Sequence, residues 1–448
     1  MGQTLIQGGT IVSGNSVFSG SILISGEKID MVYKGEIPDN VKETSDIFNA
    51  EGLHIFPGII DTHVHFREPG LTHKADIYSE SKAAVAGGVT SYMEMPNTIP
   101  PATTIELLEQ KYSIASDKSL ANYSFYLGAS DNNLNELLSV NRSEVCGIKV
   151  FLGSSTGNML ISDSVFLDKL FSKTPVLLVI HAEDEEIIKQ NSEFYRKKFG
   201  NNIPVIYHPK IRTEEACFKS SSFAVKMAER HGTRIHLAHL STLVELELLG
   251  INRALADKKI TAEVCTNHLA FDETDYAKLG TRIKCNPAIK STADKNALLE
   301  GLNSGLIDSV ATDHAPHTPE EKQLDYFSCP SGIPMVQHGF VSMLEFYHSG
   351  KMKLERIAEA MCHAPADIFR INDRGYIHNG FQADLVIVDL KQEWKVKKTN
   401  ILTKCGWSPF EGKTFRSKVI STFINGHQAY CHGKFNESVK GQRLRFSH

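Results

Sequence analysis

The sequence predicts an α/β fold in which a TIM-type (β/α)8 barrel carries a small β-sandwich domain formed by both chain ends. In the middle of the chain, short segments of consecutive apolar and β-branched residues alternate with helix-like segments. This alternation is typical of parallel strands covered on both faces. At both ends, short alternating apolar segments are separated by Gly and Asn, as in small antiparallel strands.

The chain length is consistent with this two-part organisation. A chain of 448 residues with 41% hydrophobic content exceeds what one compact core usually holds. We assign residues 1–53 and 371–448 to the two parts of the small β domain, and residues 54–370 to the barrel.

Eight candidate strands lie in the central region, which is the number that a closed barrel requires. They span residues 58–66, 88–95, 123–129, 147–152, 176–181, 234–240, 260–266 and 309–313. Helix-like stretches at 74–86, 105–116 and 223–231 follow three of them. The alternative is an open doubly wound sheet, but no Gly-x-Gly-x-x-Gly follows the first strand, which argues against a dinucleotide-binding fold.

Composition restricts the function classes. The formal net charge is -4 and the chain has no long block of Lys and Arg, so nucleic acids and anionic membranes are not expected as partners. No apolar run approaches the roughly 18 residues of a membrane span, and the N-terminus lacks a signal-peptide pattern, so we expect a cytoplasmic protein. The eight cysteines are scattered without a Cys-x-x-Cys pair, which favours reduced thiols over disulfides or a zinc ribbon. A small-molecule substrate is the remaining expectation.

His63 and His65 form the most informative pattern in the chain. Residues i and i+2 of a strand point to the same face of the sheet, so both imidazoles face the same way. They stand at the C-terminal end of the first predicted strand, where barrel enzymes keep their chemistry. Two imidazoles on one face supply two of the ligands that a metal site needs.

Polar residues also follow the other predicted strands, and in a barrel these ends converge on one mouth. They are Arg67 after the first strand, Glu94 and Asn97 after the second, Lys149 in the fourth, His181 and Glu183 at the fifth, His236 and His239 at the sixth, Asn267 and His268 at the seventh, and Asp313 and His317 at the eighth. Four histidines and an aspartate at one end of a barrel predict a metal centre. We expect Glu183, His236 and His268 to support the ligands rather than to bind metal.

Three motifs resemble those of the dihydroorotases, within the amidohydrolase superfamily. They are Asp61-Thr-His-Val-His-Phe-Arg-Glu-Pro-Gly70, Glu94-Met-Pro-Asn-Thr98 and Ala311-Thr-Asp-His-Ala-Pro-His317. The His-x-His pattern alone marks only the superfamily. The arginine that follows it and the other two motifs select dihydroorotase, and the resemblance covers nearly the whole chain.

The resemblance implies an activity and a cofactor. Dihydroorotases reversibly hydrolyse L-dihydroorotate to N-carbamoyl-L-aspartate in de novo pyrimidine (UMP) biosynthesis, by means of a hydroxide that bridges two metal ions. By resemblance, His63, His65 and Asp313 hold one Zn²⁺, and His181 and His239 hold the other. A carbamylated Lys149 is expected to bridge the ions. Some bacterial relatives use an aspartate as the bridge, but the segment 151–157 contains no acidic residue, which favours Lys149.

The resemblance also assigns roles in catalysis and substrate binding. Asp313 is expected to take the proton of the attacking hydroxide and deliver it to the leaving ring nitrogen. Arg67, Asn97 and His317 are expected to bind the substrate carboxylate. Asn286, Ala315 and Gly332 are expected near the ring amides. The polar stretch 318–331 is long for a barrel loop and is a candidate cover for the site.

Two other functions stay open from the sequence. One is another cyclic amidohydrolase, such as a hydantoinase, dihydropyrimidinase or allantoinase. Arg67, Asn97 and His317 argue against it, because a substrate without a carboxylate would leave them without a partner. The other is an inactive paralogue, which the full set of expected ligands disfavours.

Family resemblance implies a homodimer, and the sequence leaves association with an aspartate carbamoyltransferase open.

Overall fold

The computed structural model describes residues 2–14, 16–153, 159–161, 163–250 and 254–447. The N-terminal part contains five strands and one short helix. They are β1 (Gln3–Ser13), β2 (Ser16–Ser25), β3 (Lys28–Tyr33), α1 (Asp39–Thr44), β4 (Ser45–Asn49) and β5 (His54–Pro57). Strands β1 to β3 are antiparallel neighbours, whereas β4 and β5 pair with β1 in parallel.

All eight predicted central strands are present, most of them shorter than predicted. They are β6 (Ile59–Val64), β7 (Val89–Glu94), β8 (Asn122–Phe125) with β9 (Leu127–Gly128), β10 (Ile148–Phe151), β11 (Leu178–His181), β12 (Ile235–Leu237), β13 (Ile260–Cys265) and β14 (Ser309–Ala311). Every pairing among them is parallel. Their residues are almost all buried, because helices and the outer sheet cover them.

The parallel strands form two sheets rather than one continuous ladder. One sheet has the order β6-β7-β8, and the other has the order β14-β13-β12-β11-β10-β9. The predicted strand 123–129 is divided at Tyr126, whose buried hydroxyl donates a hydrogen bond to the carbonyl oxygen of Thr62 at 2.8 Å. An isolated parallel bridge joins Val64 to His314. Among the described residues the expected closed ladder is therefore absent, while the α/β architecture is as predicted.

The C-terminal part adds six strands. They are β15 (Leu385–Asp389), β16 (Trp394–Lys395), β17 (Thr414–Phe415), β18 (Lys418–Ile424), β19 (His427–Cys431) and β20 (Lys434–Phe435). Because β5 pairs with β15, both chain ends join one nine-stranded sheet of order β20-β19-β18-β15-β5-β1-β2-β3, with β4 on β1. The joining of the two ends matches the sequence prediction. The sandwich form and the boundaries at 53 and 370 stay predictions.

Thirteen further α-helices connect and cover the parallel strands in the described part of the chain. They are α2 (Ile77–Ala86), α3 (Ile105–Lys118), α4 (Leu134–Leu138), α5 (Ser164–Lys173), α6 (Glu185–Phe199), α7 (His208–Ile211), α8 (Glu214–His231), α9 (Thr266–Ala270), α10 (Tyr276–Leu279), α11 (Thr292–Ser304), α12 (Gly339–His348), α13 (Leu354–Ala358) and α14 (Ala364–Phe369). No helix in the described ranges is long and apolar enough to cross a membrane.

Side-chain caps fix where several helices begin next to the strand ends. The carboxylate of Asp76 caps α2 through the amide of Ser79, and the carboxylate of Asp184 caps α6 through the amide of Ile187. Helix α8 begins at Glu214 rather than at the predicted residue 223, because the Thr213 hydroxyl accepts from the amide of Ala216. Each cap fixes the first turn of its helix.

Candidate metal centre

Three predicted ligands meet at the end of β6. The Nε2 atom of His65 lies 3.1 Å from Oδ1 of Asp313, and the Nε2 atom of His63 lies 3.4 Å from the same oxygen. All three side chains are buried, and their ligand atoms lie within 4.8 Å of one another. Burial raises the pKa of Asp313, but the electrostatic interaction with His63 and the hydrogen bond from His65 outweigh it and lower the pKa to about 2. The carboxylate is therefore ionised and available as a ligand.

The other two predicted histidines form a second pair beside the first group. The Nδ1 atom of His181 lies 2.9 Å from Nε2 of His239. The rings of His63 and His239 have centroids 5.2 Å apart, and those of His63 and His65 are 5.5 Å apart. All four predicted imidazoles thus form one continuous cluster.

Lys149 lies in β10 with its amino group buried among these groups. Its side chain is fully buried, and its Nζ atom has no hydrogen-bond partner among the described residues. Burial lowers the pKa of Lys149 to about 8, against the opposing charges of Glu263 and Asp313. A buried amino group without a partner is costly unless it is modified or bound. Residues 154–157, in which the sequence contains no alternative bridging acid, lie outside the described residues.

This donor set fits a pair of divalent metal ions. Neutral imidazole nitrogens and a carboxylate are suitable ligands for zinc and related ions. In metal sites, the imidazole nitrogen that does not bind the metal usually makes a second contact, which fixes the ring. Three of the four imidazoles make such a contact, those of His63, His65 and His181.

Glu263 is a buried residue of the site that the sequence reasoning missed. Its Oε1 atom lies 2.6 Å from Nδ1 of His63, and its Oε2 atom accepts a hydrogen bond from the Thr62 hydroxyl at 3.0 Å. The carboxylate also lies 3.3 Å from Nε2 of His236, and it accepts a hydrogen bond from the His239 amide at 3.3 Å. The available signal was a lone acidic residue inside the apolar strand β13. Glu263 thereby links β6, β12 and β13 beneath the candidate metal centre.

Two further contacts orient the other imidazoles. Glu183 lies 3.2 Å from Nε2 of His181 and forms a buried ion pair with Arg212. The Oδ1 atom of Asn97 lies 2.8 Å from Nδ1 of His65. The support role expected for Glu183 agrees with this geometry, whereas the amide oxygen of Asn97, which was expected to bind substrate, contacts a candidate metal ligand.

The two histidines expected to support the centre differ in their position. His236 contacts Glu263 and the Thr261 hydroxyl, the latter at 2.9 Å, so it reaches the candidate ligands through Glu263. His268 instead contacts the carbonyl oxygen of Pro287 through Nε2, at 3.1 Å. It therefore positions the segment that carries Asn286.

Three site residues adopt left-handed backbone conformations. The φ angles are +70° for Arg67, +41° for His239 and +45° for Asp313. Such angles are uncommon for residues with side chains and concentrate at functional sites, where surrounding contacts hold them. Each of these residues follows a parallel strand, and its left-handed backbone directs the side chain toward the candidate metal centre.

Arg67 and His317 meet on one wall of the site. The Nη2 atom of Arg67 lies 3.1 Å from Nε2 of His317, and Nε of Arg67 donates a hydrogen bond to the carbonyl oxygen of Pro316 at 3.2 Å. Both side chains are buried. Burial lowers the pKa of Arg67 to about 10, so the guanidinium stays charged at neutral pH. The pair offers fixed donors of the kind that bind a carboxylate.

The remaining predicted substrate residues lie next to this wall. Ala315 donates its amide to the carbonyl oxygen of Ile333 at 2.9 Å, and the amide of Gly332 donates to the carbonyl oxygen of Lys284 at 2.9 Å. A Cβ atom on Gly332 would lie 2.4 Å from the Ala315 carbonyl oxygen, so only glycine fits there. The Oδ1 atom of Asn286 is buried without a hydrogen-bond partner in the described part of the chain.

Lys322 anchors the polar stretch 318–331 to the site. Its buried ammonium donates hydrogen bonds to the carbonyl oxygens of Lys284, Pro330 and Gly332, at 3.1, 2.9 and 3.0 Å. Such a threefold contact holds the stretch in place, because releasing it would leave a buried ammonium without acceptors. The stretch therefore forms a wall of the site in this structure.

Sequence comparisons place the chain among known proteins. Residues 54–429 match the amidohydrolase family. A dihydroorotase of Methanosarcina acetivorans is 34% identical over 382 residues, covering 83% of this chain and 81% of that protein. A dihydroorotase of Halobacterium salinarum is 34% identical over 389 residues, covering 86% of this chain and 88% of that protein.

Comparison with solved structures supports the same fold. The L-hydantoinase of Arthrobacter aurescens superposes with a TM-score of 0.91 at 24% identity, covering 99% of this chain and 100% of that one. The dihydropyrimidinase of Brevibacillus agri superposes with a TM-score of 0.87 at 22% identity, covering 100% of both chains. At these identities the likeness concerns the fold alone. The motifs, the assembled site and the sequence relatives together show that the chain belongs to the amidohydrolase family and, within it, to the dihydroorotases.

Proposed function

We propose that the protein catalyses the reversible hydrolysis of L-dihydroorotate to N-carbamoyl-L-aspartate, a step of de novo pyrimidine biosynthesis. This proposal rests on the proximity of two groups of side chains, the candidate metal ligands and a pair of cationic or polar donors, at the same strand ends. The candidate ligands His63, His65 and Asp313 lie beside the Arg67 and His317 pair. One group suits metal-assisted amide hydrolysis, and the other suits a substrate with a carboxylate.

The metal centre would hold two Zn²⁺ ions. His63, His65 and Asp313 would hold one ion, and His181 and His239 would hold the other. Two bound divalent ions supply a water of lowered pKa and polarise the amide carbonyl. Glu263 and Glu183 support this assignment, because each fixes one candidate ligand imidazole from behind.

Lys149 would complete the centre as a carbamate. Carbamylation converts the partnerless buried amino group into an anionic carboxylate, which removes the penalty of a cation beside metal ions. Acid-quenched protein should then release stoichiometric CO₂, and Lys149→Met should release none and retain less metal. A small carboxylic acid should restore part of the metal binding to Lys149→Met. Full metal content in that variant without any added acid would contradict the bridging role.

Asp313 would move the proton of the reaction. Its Oδ1 atom faces the space between His63 and His65, so it can accept a proton from the attacking water and pass it to the leaving ring nitrogen. Asp313→Ala should therefore abolish turnover more completely than it weakens substrate binding. Activity close to that of the wild type would overturn this role.

Arg67 and His317 would bind the substrate carboxylate, with Asn97 beside them. Asn286 and the backbone at Ala315 and Gly332 would contact the ring amides. A bidentate guanidinium contact is both strong and geometrically specific, so it distinguishes dihydroorotate from rings that lack a carboxylate.

One preparation of the metal-loaded protein tests the function directly. Hydrolysis rates should be measured with dihydroorotate, dihydrouracil, hydantoin and allantoin, and the reverse reaction with N-carbamoyl-L-aspartate. We expect turnover of dihydroorotate to exceed the others by orders of magnitude, and Arg67→Met to reduce this preference. Preferred hydrolysis of a ring without a carboxylate would show that the proposed substrate is wrong.

We also propose that the two parallel sheets are parts of one (β/α)8 barrel with the predicted boundaries 54–370. The strand orders follow the chain around both sheets, and the Val64–His314 bridge brings their outer strands together. The division at Tyr126 is then a local interruption of one strand.

A further inference from the structure

His317 lies between two cationic side chains. Its Nε2 atom lies 3.1 Å from Nη2 of Arg67, and its Nδ1 atom lies 3.1 Å from Nζ of Lys74. Lys74 comes from the turn after β6, and it also forms an ion pair with Glu321 at 2.8 Å. The sequence motifs assign no role to Lys74.

The surroundings of His317 decide which of its nitrogens carries the proton. Burial, together with the charges of Arg67 and Lys74, lowers the pKa of His317 well below its usual value, so the imidazole is neutral. A neutral imidazole has one donor and one acceptor nitrogen. The ammonium of Lys74 can only donate, so it requires a lone pair on Nδ1. The carbonyl oxygen of Ser331, 3.0 Å from Nε2, can only accept, so it requires a proton on Nε2.

Both requirements are met by the same tautomer. With the proton on Nε2, the contacts to Lys74 and Ser331 are both hydrogen bonds. With the proton on Nδ1, both of these contacts fail and only the contact with Arg67 is satisfied. In the favoured tautomer, the Nε2–H group is donated to the Ser331 carbonyl oxygen, and Nε2 has no lone pair for Arg67. The Nη2 donor of Arg67 therefore has no acceptor on His317 and is available to an anionic oxygen.

We infer that Lys74 is a positioning residue for His317: its ammonium holds the imidazole in the tautomer with the proton on Nε2, so that Nε2 cannot accept from Arg67 and the Nη2 donor of Arg67 stays available, beside His317, to the substrate carboxylate. This inference rests on the proposed function, because it concerns the same carboxylate. It adds a residue that determines specificity without contacting the reacting atoms.

Glu321 explains why a cation is needed at this position. Its Oε2 atom lies 3.7 Å from Nδ1 of His317, close enough to attract a proton to that nitrogen if nothing intervened. Lys74 occupies the nearer position and neutralises the carboxylate through its Oε1 atom. Removal of the Lys74 ammonium should therefore let Glu321 accept a hydrogen bond from Nδ1–H. Nε2 would then accept from Nη2 of Arg67, in competition with the substrate carboxylate.

The test combines kinetics with a direct measurement of the tautomer. Lys74→Met should raise the KM for dihydroorotate about tenfold, the effect of losing one charged hydrogen bond, with a much smaller change in kcat. The ¹⁵N spectrum of histidine-labelled protein should show the His317 proton on Nε2 in the wild type and on Nδ1 in Lys74→Met. The His317→Gln spectrum assigns the signal among the 19 histidines of the chain.

Three further variants make the test selective. Lys74→Arg keeps a donor and should keep both the KM and the tautomer near those of the wild type. The double variant Lys74→Met/Glu321→Gln removes the competing carboxylate and should recover part of the KM. Lys82→Met removes a lysine paired with Glu437 outside the site and should change neither property.

Two results would overturn the inference. One is a wild-type His317 with its proton on Nδ1. The other is Lys74→Met with a raised KM but an unchanged tautomer, which would mean that Lys74 contacts the substrate directly. If the wild type fails to turn over dihydroorotate, the proposed function fails instead, while the spectra still decide the tautomer.

Discussion

The Nδ1 atom of His63 lies 2.6 Å from the Oε1 atom of Glu263, although the two residues are 200 positions apart in the chain. This contact leaves Nε2 as the only nitrogen of His63 that faces Asp313. Although burial opposes ionisation, His63 and His236 lower the pKa of Glu263 well below its usual value, so the carboxylate is charged. A charged carboxylate behind an imidazole fixes its tautomer and increases its strength as a ligand.

Glu263→Gln should therefore weaken metal binding. The amide keeps the size of the side chain but loses the charge, so we expect metal affinity to fall by roughly 10- to 100-fold. Competition with a chelator measures this directly. Glu245→Gln is a matched control, because Glu245 is also buried but accepts hydrogen bonds from Ser221 and Thr242 rather than from imidazoles. Equal metal affinity in the two variants would show that Glu263 is not a support for the centre.

Lys322→Met should loosen the wall formed by 318–331. The variant leaves three carbonyl oxygens without their shared donor, which should lower the free energy of unfolding by about 2 kcal/mol. Amide hydrogen exchange should accelerate in this stretch, and the KM should rise because Ser331 contacts His317. Lys258→Met is the control, since Lys258 is a partly buried lysine that donates to the Gly305 carbonyl and pairs with Asp308 away from the site. Unchanged exchange in 318–331 would contradict the anchoring role.

The parallel strands were predictable because their signal is local. Consecutive apolar residues, as in 147–152, indicate a strand buried on both faces regardless of its neighbours. Helix α8 begins nine residues before the predicted residue 223, because the Thr213 cap that starts it precedes a stretch, 214–222, with a weaker apolar pattern than 223–231. The interruption at Tyr126 depends on its contact with the distant Thr62, which no local pattern encodes.

The candidate ligands were predictable for a different reason. His63 and His65 are close in sequence, and the barrel topology brings the other strand ends to them. The supporting residues carry no such signal. Glu263 reaches His63 from another strand, and the role of Lys74 depends on the distances from His317 to Glu321 and Ser331. These contacts are determined by packing, so they required the structure.

The ion pair between Glu183 and Arg212 predicts a specific dependence of stability on pH. Burial raises the pKa of Glu183, but Arg212 and His181 outweigh it and lower the pKa from 4.5 to about 2. A carboxylate with a lowered pKa stabilises the folded state above its unfolded pKa, and this contribution disappears as the pH falls through the folded value. In metal-free protein, Glu183→Gln should be the less stable variant at pH 7, and its difference from the wild type should shrink between pH 4.5 and about 2.

Denaturant unfolding at several pH values measures this difference. Glu300→Gln alters an exposed carboxylate and should give a difference from the wild type that is small at every pH. A Glu183→Gln difference that stays constant from pH 7 to pH 2 would show that the ion pair does not contribute in the predicted way.

Gly332 tests whether the wall of the site controls substrate binding. Its φ angle is +148°, and an added Cβ would lie 2.4 Å from the Ala315 carbonyl oxygen and 2.9 Å from Cδ2 of His317. Gly332→Ala must therefore displace these groups, so the KM for dihydroorotate should rise at least tenfold, and stability should fall by about 1–3 kcal/mol. Gly35→Ala meets no atom within 4 Å and is the control for adding a methyl group. A Gly332→Ala enzyme that loses stability but keeps its KM would place Gly332, Ala315 and His317 outside the substrate site, because the substitution displaces all three.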